Sequence, residues 1–122
     1  MSSGAEREAV ECLFCRVLLG AVPSTEVIST AGTYAFRDIN PAAPVHVLVV
    51  PRKHIAHAGE LRPEDSEILA EMLRTASSVA ESEGIAEGGY RLVLNVGDDA
   101  LNTVPHLHLH VLGGRKMGWP PG

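Results

Sequence analysis

Histidine and apolar residues alternate near the C-terminal end of the chain, in the segment PHLHLHVLGG. This alternation predicts a half-buried strand. In such a strand His106, His108 and His110 share one face, whereas the intervening leucines enter the core. Because imidazole can serve as a nucleophile, an acid, a base or a metal ligand near neutral pH, three of them on one face indicate a chemical site.

The remaining apolar pattern predicts two helices and four more strands. Helical spacing of apolar residues favours a short helix over residues 10–19, which Gly20 ends. A longer helix is predicted over residues 63–83, because proline and acidic residues occupy its first turn and Gly84 follows it. The predicted strands cover residues 26–29, 34–38, 46–50 and 91–96. Together with the histidine strand, this order indicates an α+β domain with a largely antiparallel sheet of about five strands.

Length and charge narrow the class of protein. The chain has 122 residues and a net charge of −5. That length is sufficient for one domain, which we place at residues 10–122 after a polar, disordered tail at 1–9. The negative charge argues against nucleic acid as a partner, and the absence of an apolar run of roughly 18 residues argues against a membrane. No secretory signal pattern is found, so we expect a cytoplasmic protein.

The two cysteines, Cys12 and Cys15, form a CxxC motif. In a reducing cytosol a structural disulfide is not expected between them. The pair then serves in redox chemistry, forms half of a metal site, or consists of two small buried residues. The motif by itself does not distinguish these alternatives.

The triad segment has the pattern His-φ-His-φ-His-φ-φ, where φ is an apolar residue. This pattern resembles the signature of the histidine triad (HIT) family of nucleotide hydrolases and transferases. The segments YAFRDINPAAPVHVLVVPRKHI and GYRLVLNVG are similar to other parts of the family, and the tail GGRKMGWPPG resembles that of its Hint branch, the purine nucleoside phosphoramidases. The resemblance covers about residues 11–122. It implies a HIT-like fold whose sheet continues across a homodimer.

The resemblance also implies an activity, the hydrolysis of the bond between the α-phosphate of AMP, or of another purine nucleoside monophosphate, and an amine or acyl leaving group. In the family the middle histidine, here His108, attacks phosphorus and forms a covalent nucleotidyl-histidine intermediate. His110 then contacts the phosphate or leaving group, and Asn95 and Thr103 hold the positions of neutral hydrogen-bond donors. Dinucleoside polyphosphate hydrolysis, non-catalytic nucleotide binding and a catalytic metal on the histidines are the alternatives.

The resemblance assigns the nucleotide pocket to Asp38, which would accept hydrogen bonds from the ribose hydroxyls, and to a set of apolar side chains around the base. These apolar residues are Leu13, Phe14, Val17, Val22, Phe36 and Ile39. His46 is interpreted as structural. Two residues depart from many eukaryotic Hint proteins, since Arg37 replaces a histidine and Pro105 replaces a tyrosine; the choice of leaving group stays open for this reason.

For the CxxC motif the resemblance implies a structural zinc. Its ligands would be Cys12, Cys15, His54 and the first triad residue, His106. Two thiolates and two imidazoles suit tetrahedral Zn²⁺. His57 is an alternative to His54, and a motif without metal is the alternative to the zinc site. No organic cofactor is expected.

The resemblance further implies how two subunits meet. The main helix and a strand before it would form an isologous contact. The C-terminal tail, which carries the single tryptophan, Trp119, would border the leaving-group side of the active site in the partner subunit. A large aromatic residue in such a short, irregular segment needs a surface against which to bury.

Overall fold

A computed structural model describes residues 12–122, so the predicted tail at 1–9 and the start of the first predicted helix lie outside the described residues. The elements of this part of the chain are α1 (Leu13–Leu18), β1 (Glu26–Ser29), β2 (Thr33–Arg37), β3 (Val45–Pro51), α2 (Ser66–Ser82), β4 (Tyr90–Val93) and β5 (Leu109–Gly113). The strands form one antiparallel five-stranded sheet in the order β1-β2-β3-β5-β4. The predicted α+β fold is confirmed, with one long and one short α-helix among residues 12–122, and neither of these two helices is long and apolar enough to cross a membrane.

Two strands are shorter than the sequence pattern predicts. β4 ends at Val93, which pairs with His110 of β5. The chain then leaves the sheet and forms a 3₁₀ turn at Asp98–Ala100, so Asn95 follows the strand instead of lying within it. β5 begins at Leu109, so the first two histidines of the triad precede the paired segment. Alternation shows which residues share a face, but the length of a strand depends on where a partner strand pairs with it.

The sheet separates two apolar layers. On one side α2 buries Met72, Ala76 and Val79, which pack in one cluster with β3 and β5. These positions are three or four residues apart, as one helix face requires. Leu73, which the apolar pattern places in the same stripe, is 45% exposed, because it lies about 100° around the helix from Met72. On the other side of the sheet, α1 packs against β2 and β3.

The connection between β3 and α2 is held by a buried carboxylate. Asp65 accepts hydrogen bonds from Nζ of Lys53 at 2.6 Å and from the backbone N–H of Arg62 at 3.0 Å. These bonds, that of Lys53 most of all, hold the pKa of Asp65 below its ordinary value. Because His54 directly follows Lys53, the ion pair also fixes the segment that carries this predicted metal ligand.

The C-terminal tail is tethered to the edge of the sheet. The carbonyl of Gly118 accepts a hydrogen bond from the guanidinium of Arg91, in β4, at 2.8 Å. The next residue, Trp119, is 83% exposed on this chain. The predicted contact of Trp119 with a partner subunit stays a prediction.

Candidate active site and metal centre

A cavity of about 340 Å³ opens where α1 and β2 meet the segment that precedes β5. The predicted catalytic residues Asn95, Thr103, His108 and His110 all line it. The predicted nucleotide-binding residues also line it, namely Asp38, Leu13, Phe14, Val17, Val22, Phe36 and Ile39. The fold therefore gathers into one cavity the side chains that the resemblance assigned to one site, and their chemical roles stay predictions.

The apolar wall of the cavity comes mainly from α1 and β2. Phe14 of α1 packs edge-to-face against Phe36 of β2, with ring centroids 5.5 Å apart. The same Phe14 ring meets the ring of His108 at 5.0 Å. Ile39, in the loop after β2, contributes an exposed side chain. Aromatic and aliphatic residues beside a few polar groups are the usual lining of a site for a small organic ligand.

One hydrogen bond sets the tautomer of His108. Its Nδ1 lies 2.7 Å from the backbone carbonyl oxygen of His106. Since a carbonyl can only accept, Nδ1 carries the proton, and Nε2 keeps its lone pair in the neutral imidazole. A neutral imidazole with a free lone pair, in a side chain that lines the cavity, has the chemistry of a nucleophile.

A second series of hydrogen bonds orients His110. The N–H of Ala42 donates to Nδ1 of His46 at 2.9 Å, so the proton of His46 is on Nε2. That Nε2 donates to Nδ1 of His110 at 2.8 Å, which leaves the proton of His110 on its own Nε2. Burial, together with the neighbouring His108 and His46, lowers the pKa of His110 to about 4. His110 is therefore a neutral hydrogen-bond donor near pH 7.

Asp38 contacts both this series and the loop after β2. Its Oδ2 lies 3.3 Å from Nε2 of His46, and its Oδ1 accepts from the N–H of Asn40 at 2.8 Å. One ligand atom each from Asp38, His46 and His110 lies within 4.8 Å of the others, a grouping that bears on the catalytic-metal alternative. Both nitrogens of His46 are already hydrogen-bonded, and this favours a hydrogen-bond network at these residues.

The four predicted zinc ligands, Cys12, Cys15, His54 and His106, form another cluster, with ligand atoms within 4.8 Å of one another. Nδ1 of His106 lies 3.4 Å from the sulfur of each cysteine. Nδ1 of His54 lies 3.2 Å from the sulfur of Cys15. In a tetrahedral zinc site with bonds of about 2.0–2.3 Å, ligand atoms are roughly 3.5 Å apart. The donor set and its spacing therefore fit zinc.

His106 also has the tautomer that a metal ligand requires. Its Nε2 donates to the carbonyl oxygen of Pro51 at 2.9 Å, so Nδ1, which faces the sulfurs, is unprotonated. Burial lowers the pKa of His106 to about 4, and the imidazole is neutral near pH 7. His57, the alternative to His54, does not belong to the cluster, and its Nδ1 accepts from the N–H of Gly59 at 3.1 Å.

His46 is the residue that sequence reasoning missed. The sequence interpretation treats it as structural, yet it is hydrogen-bonded to His110 in the candidate active site. The pairing of β3 with β5 places Leu48 opposite His110 and His46 opposite Leu112, so the two histidines are diagonal neighbours on one face. Only knowledge of this register, which no local pattern contains, connects them.

The fold and site define an α+β domain with a histidine triad beside a small-ligand cavity. The family model described as the HIT domain matches residues 20–117, and the chain belongs to this family. The 14 kDa zinc-binding protein of Zea mays is 43% identical over 112 residues, which cover 90% of this chain and 87% of that protein. The adenylylsulfatase HINT1 of Arabidopsis thaliana is 41% identical, and the match covers 90% of this chain and 76% of that protein.

A solved structure supports the same conclusion about the fold. The crystal structure of a HIT family hydrolase from Legionella pneumophila superposes with a TM-score of 0.90 and is 49% identical in sequence. The match covers 92% of this chain and 100% of that chain. The chain is thus a HIT domain protein whose relatives include Hint-like proteins and HIT hydrolases, and the predicted family is confirmed.

Proposed function

We propose that this protein hydrolyses the bond between the α-phosphate of AMP, or of another purine nucleoside monophosphate, and an amine or acyl leaving group. The observation that carries the proposal is the hydrogen bond of His108 to the His106 carbonyl, which places a proton on Nδ1 and so leaves the lone pair of the neutral imidazole on Nε2, in a side chain that lines the cavity. The relative from Arabidopsis thaliana is named an adenylylsulfatase. Its name supports an adenylyl group as the part of the substrate that the pocket holds.

The reaction proceeds in two steps. Nε2 of His108 attacks phosphorus and forms a P–N bond, while the bond to the leaving group breaks and its electron pair departs with that group. The leaving group takes up a proton from solvent as it departs. Water then attacks phosphorus and releases one proton to solvent, the bond to His108 breaks, and the imidazole recovers its electron pair as AMP is released. His110 donates a hydrogen bond from Nε2 to the phosphate or leaving group, where negative charge develops.

The remaining cavity residues hold the nucleotide. The aromatic wall formed by Phe14 and Phe36 stacks on the purine base. Asp38 accepts hydrogen bonds from the ribose, and Asn95 and Thr103 donate to the phosphate and the leaving group. The cavity volume of about 340 Å³ is within the range of roughly 300–1,000 Å³ common for sites that bind small molecules.

A structural zinc at Cys12, Cys15, His54 and His106 belongs to the proposal. The fit of the donor atoms supports it, as does the name of the zinc-binding relative from Zea mays. A structural zinc cross-links the segments that carry its ligands and supplies no reactive group. Cysteines that bind a metal must not form a disulfide, and a reducing compartment prevents disulfide formation. For this reason we place the protein in the cytoplasm.

A homodimer also belongs to the proposal. For the strand of this contact we choose β4, which follows the main helix α2, instead of a strand before that helix. β4 is an edge strand of the described sheet, and its exposed residues include Tyr90 and Leu92, with Leu94 and Val96 exposed just beyond its end. An edge strand with apolar side chains is a template for pairing with another strand. In an isologous contact, β4 of a second copy of this chain would pair with the backbone N–H and C=O groups along this edge.

A turnover panel tests the proposed reaction. Adenosine phosphoramidate, an aminoacyl-adenylate and a diadenosine polyphosphate are offered at equal concentration, and kcat/KM is measured for each. We expect the phosphoramidate to be hydrolysed most efficiently. Faster hydrolysis of the diadenosine polyphosphate would favour the alternative hydrolase, and tight AMP binding without turnover of any substrate would favour a binding module.

A further inference from the structure

The predicted zinc ligands Cys12, Cys15, His54 and His106, called the metal cluster below, are connected to the nucleotide cavity by one short helix. Cys12 and Cys15 supply sulfur atoms to the cluster, whereas Phe14 and Val17 of the same helix line the cavity. Helix α1 has six residues. Isolated helices shorter than about 12–15 residues are marginal in water, so the position of α1 depends on its contacts with the rest of the fold. The sulfur ligands at and near its N-terminal end are the contacts that a metal would strengthen most.

A second connection runs through the triad. The side chain of His106 faces both sulfurs, at 3.4 Å, while its backbone carbonyl accepts the hydrogen bond from Nδ1 of His108. The ring of His106 thus belongs to the metal cluster, and its backbone carbonyl orients the proposed nucleophile, His108. Phe14 packs edge-to-face against both imidazoles, with ring centroids 6.2 Å from His106 and 5.0 Å from His108.

We propose that metal binding at Cys12, Cys15, His54 and His106 and nucleotide binding in the adjacent cavity are cooperative, and that Cys12 and Cys15 are positioning residues for the nucleotide pocket. This inference rests on the proposed function, because it takes the cavity to be a nucleotide site. Without metal, a nucleotide that binds has to order the α1 wall itself. With metal that wall is already ordered, and the entropic cost of binding is smaller.

Coupling between two binding sites is reciprocal. If zinc strengthens AMP binding by some factor, AMP strengthens zinc binding by the same factor. We expect a factor of about ten, within the range of roughly 5–150 that is common for coupled sites. The coupling is transmitted by Phe14, so a variant with a smaller side chain there should lose it.

The experiment measures zinc affinity on the full-length protein by competition with a chromophoric chelator, with and without saturating AMP. AMP affinity is measured by calorimetry on zinc-loaded and chelator-treated protein, and circular dichroism reports whether the latter stays folded. We expect AMP to strengthen zinc binding about tenfold, within the usual range of coupling. If AMP binds neither form, the proposed function fails. If AMP binds but zinc affinity is unchanged, the coupling fails while the proposed function stands.

Two variants separate local coupling from a general gain in stability. Phe14→Leu removes the ring that contacts both histidines, whereas Ile39→Ala alters a cavity residue in the loop after β2, outside the apolar cluster around α1. Both variants are compared at AMP concentrations that give equal saturation. We expect the effect of AMP on zinc affinity to vanish in Phe14→Leu and to persist in Ile39→Ala. An equal effect in both variants would overturn the inference, even if the metal-free protein unfolds.

Discussion

Nδ1 of His108 lies 2.7 Å from the backbone carbonyl oxygen of His106. This contact links a residue of the metal cluster to the proposed nucleophile, and it decides which ring nitrogen of His108 carries the proton. The backbone, and not a charged side chain, therefore fixes the tautomer of the proposed nucleophile. A neutral imidazole prepared in this way can attack without first losing a proton.

His108→Ala should abolish turnover, because the first covalent step cannot occur without the imidazole. We expect kcat to fall by at least about 10³-fold, with AMP affinity largely retained. Steady-state hydrolysis of adenosine phosphoramidate and calorimetry with AMP provide the two measurements. His57→Ala is the matched control, since His57 lies outside both the cavity and the metal cluster. Turnover near the wild-type value in His108→Ala would rule out His108 as the nucleophile.

Replacement of His46 tests the hydrogen bond that orients His110. His46→Phe removes the donor to Nδ1 of His110, whereas His46→Gln keeps a side-chain N–H at a similar reach. We expect kcat to fall by about 10²-fold in His46→Phe, at the lower end of acid–base contributions, with little change in KM. The glutamine variant should recover part of this loss. Equal kcat values for the two variants would show that the hydrogen bond is not the cause.

The purified protein should contain about one zinc per chain. Cys15→Ser should lower both the zinc content and the melting temperature, because metal binding contributes to the stability of the fold. Elemental analysis and thermal unfolding monitored by circular dichroism provide the measurements, with His57→Ala as the control that leaves the cluster intact. Wild-type protein that lacks metal, and whose stability does not respond to added zinc, would contradict the proposed site.

The free energy of unfolding should decrease as the pH falls from 6.5 toward 4, because the unfolded chain protonates His110 more readily than the folded chain does. The pKa of His110 is lowered from 6.5 to about 4, chiefly by burial. Between these values the unfolded chain takes up a proton that the folded chain does not. The stabilisation is therefore complete above pH 6.5 and is lost as the pH falls toward 4. For one such group, the free energy of unfolding changes by at most about 1.4 kcal/mol per pH unit, and solvent screening at the half-buried ring of His110 reduces this value.

Urea unfolding at pH 7.5, 6 and 5 measures this dependence. His110→Asn should flatten the decline in the free energy of unfolding relative to the wild type, because asparagine does not titrate. Glu71, in α2, accepts hydrogen bonds from the Thr30 hydroxyl at 2.6 Å and the Gly32 N–H at 2.8 Å, and these bonds lower its pKa. Together with the lowered pKa of Asp65, this extends the loss of stability to lower pH in both proteins. Identical pH slopes for wild type and variant would show that His110 is not responsible.

The edge of the sheet at β4 provides a test of assembly. Light scattering at micromolar concentration should give twice the chain mass for the wild type. Leu92→Glu should shift the protein toward the monomer, because a charge on the exposed face of β4 opposes the pairing of two edges. Leu19→Glu, at an exposed residue just after α1, is the matched control. A monomeric wild-type protein would contradict the proposed dimer.

The sequence by itself determined the element types and their order. Periodicity of apolar residues is a local property, and it predicted the two helices, the five strands and the face of the histidine strand that enters the core. Leu107, Leu109 and Val111 are indeed buried in the cluster under α2. The resemblance supplied the grouping of distant residues, which periodicity could not supply.

Only the tertiary structure decided which residues meet. Cys12 and His106 are 94 positions apart, and their contact depends on the register of the whole sheet. The same register places His46 diagonally opposite His110 and ends β4 before Asn95. The tautomers of His106 and His46 depend on backbone groups that the fold brings into reach, the carbonyl of Pro51 for His106 and the N–H of Ala42 for His46. The sequence shows that a histidine can act as a nucleophile, proton donor or metal ligand, and long-range packing determines which of its ring nitrogens carries the proton.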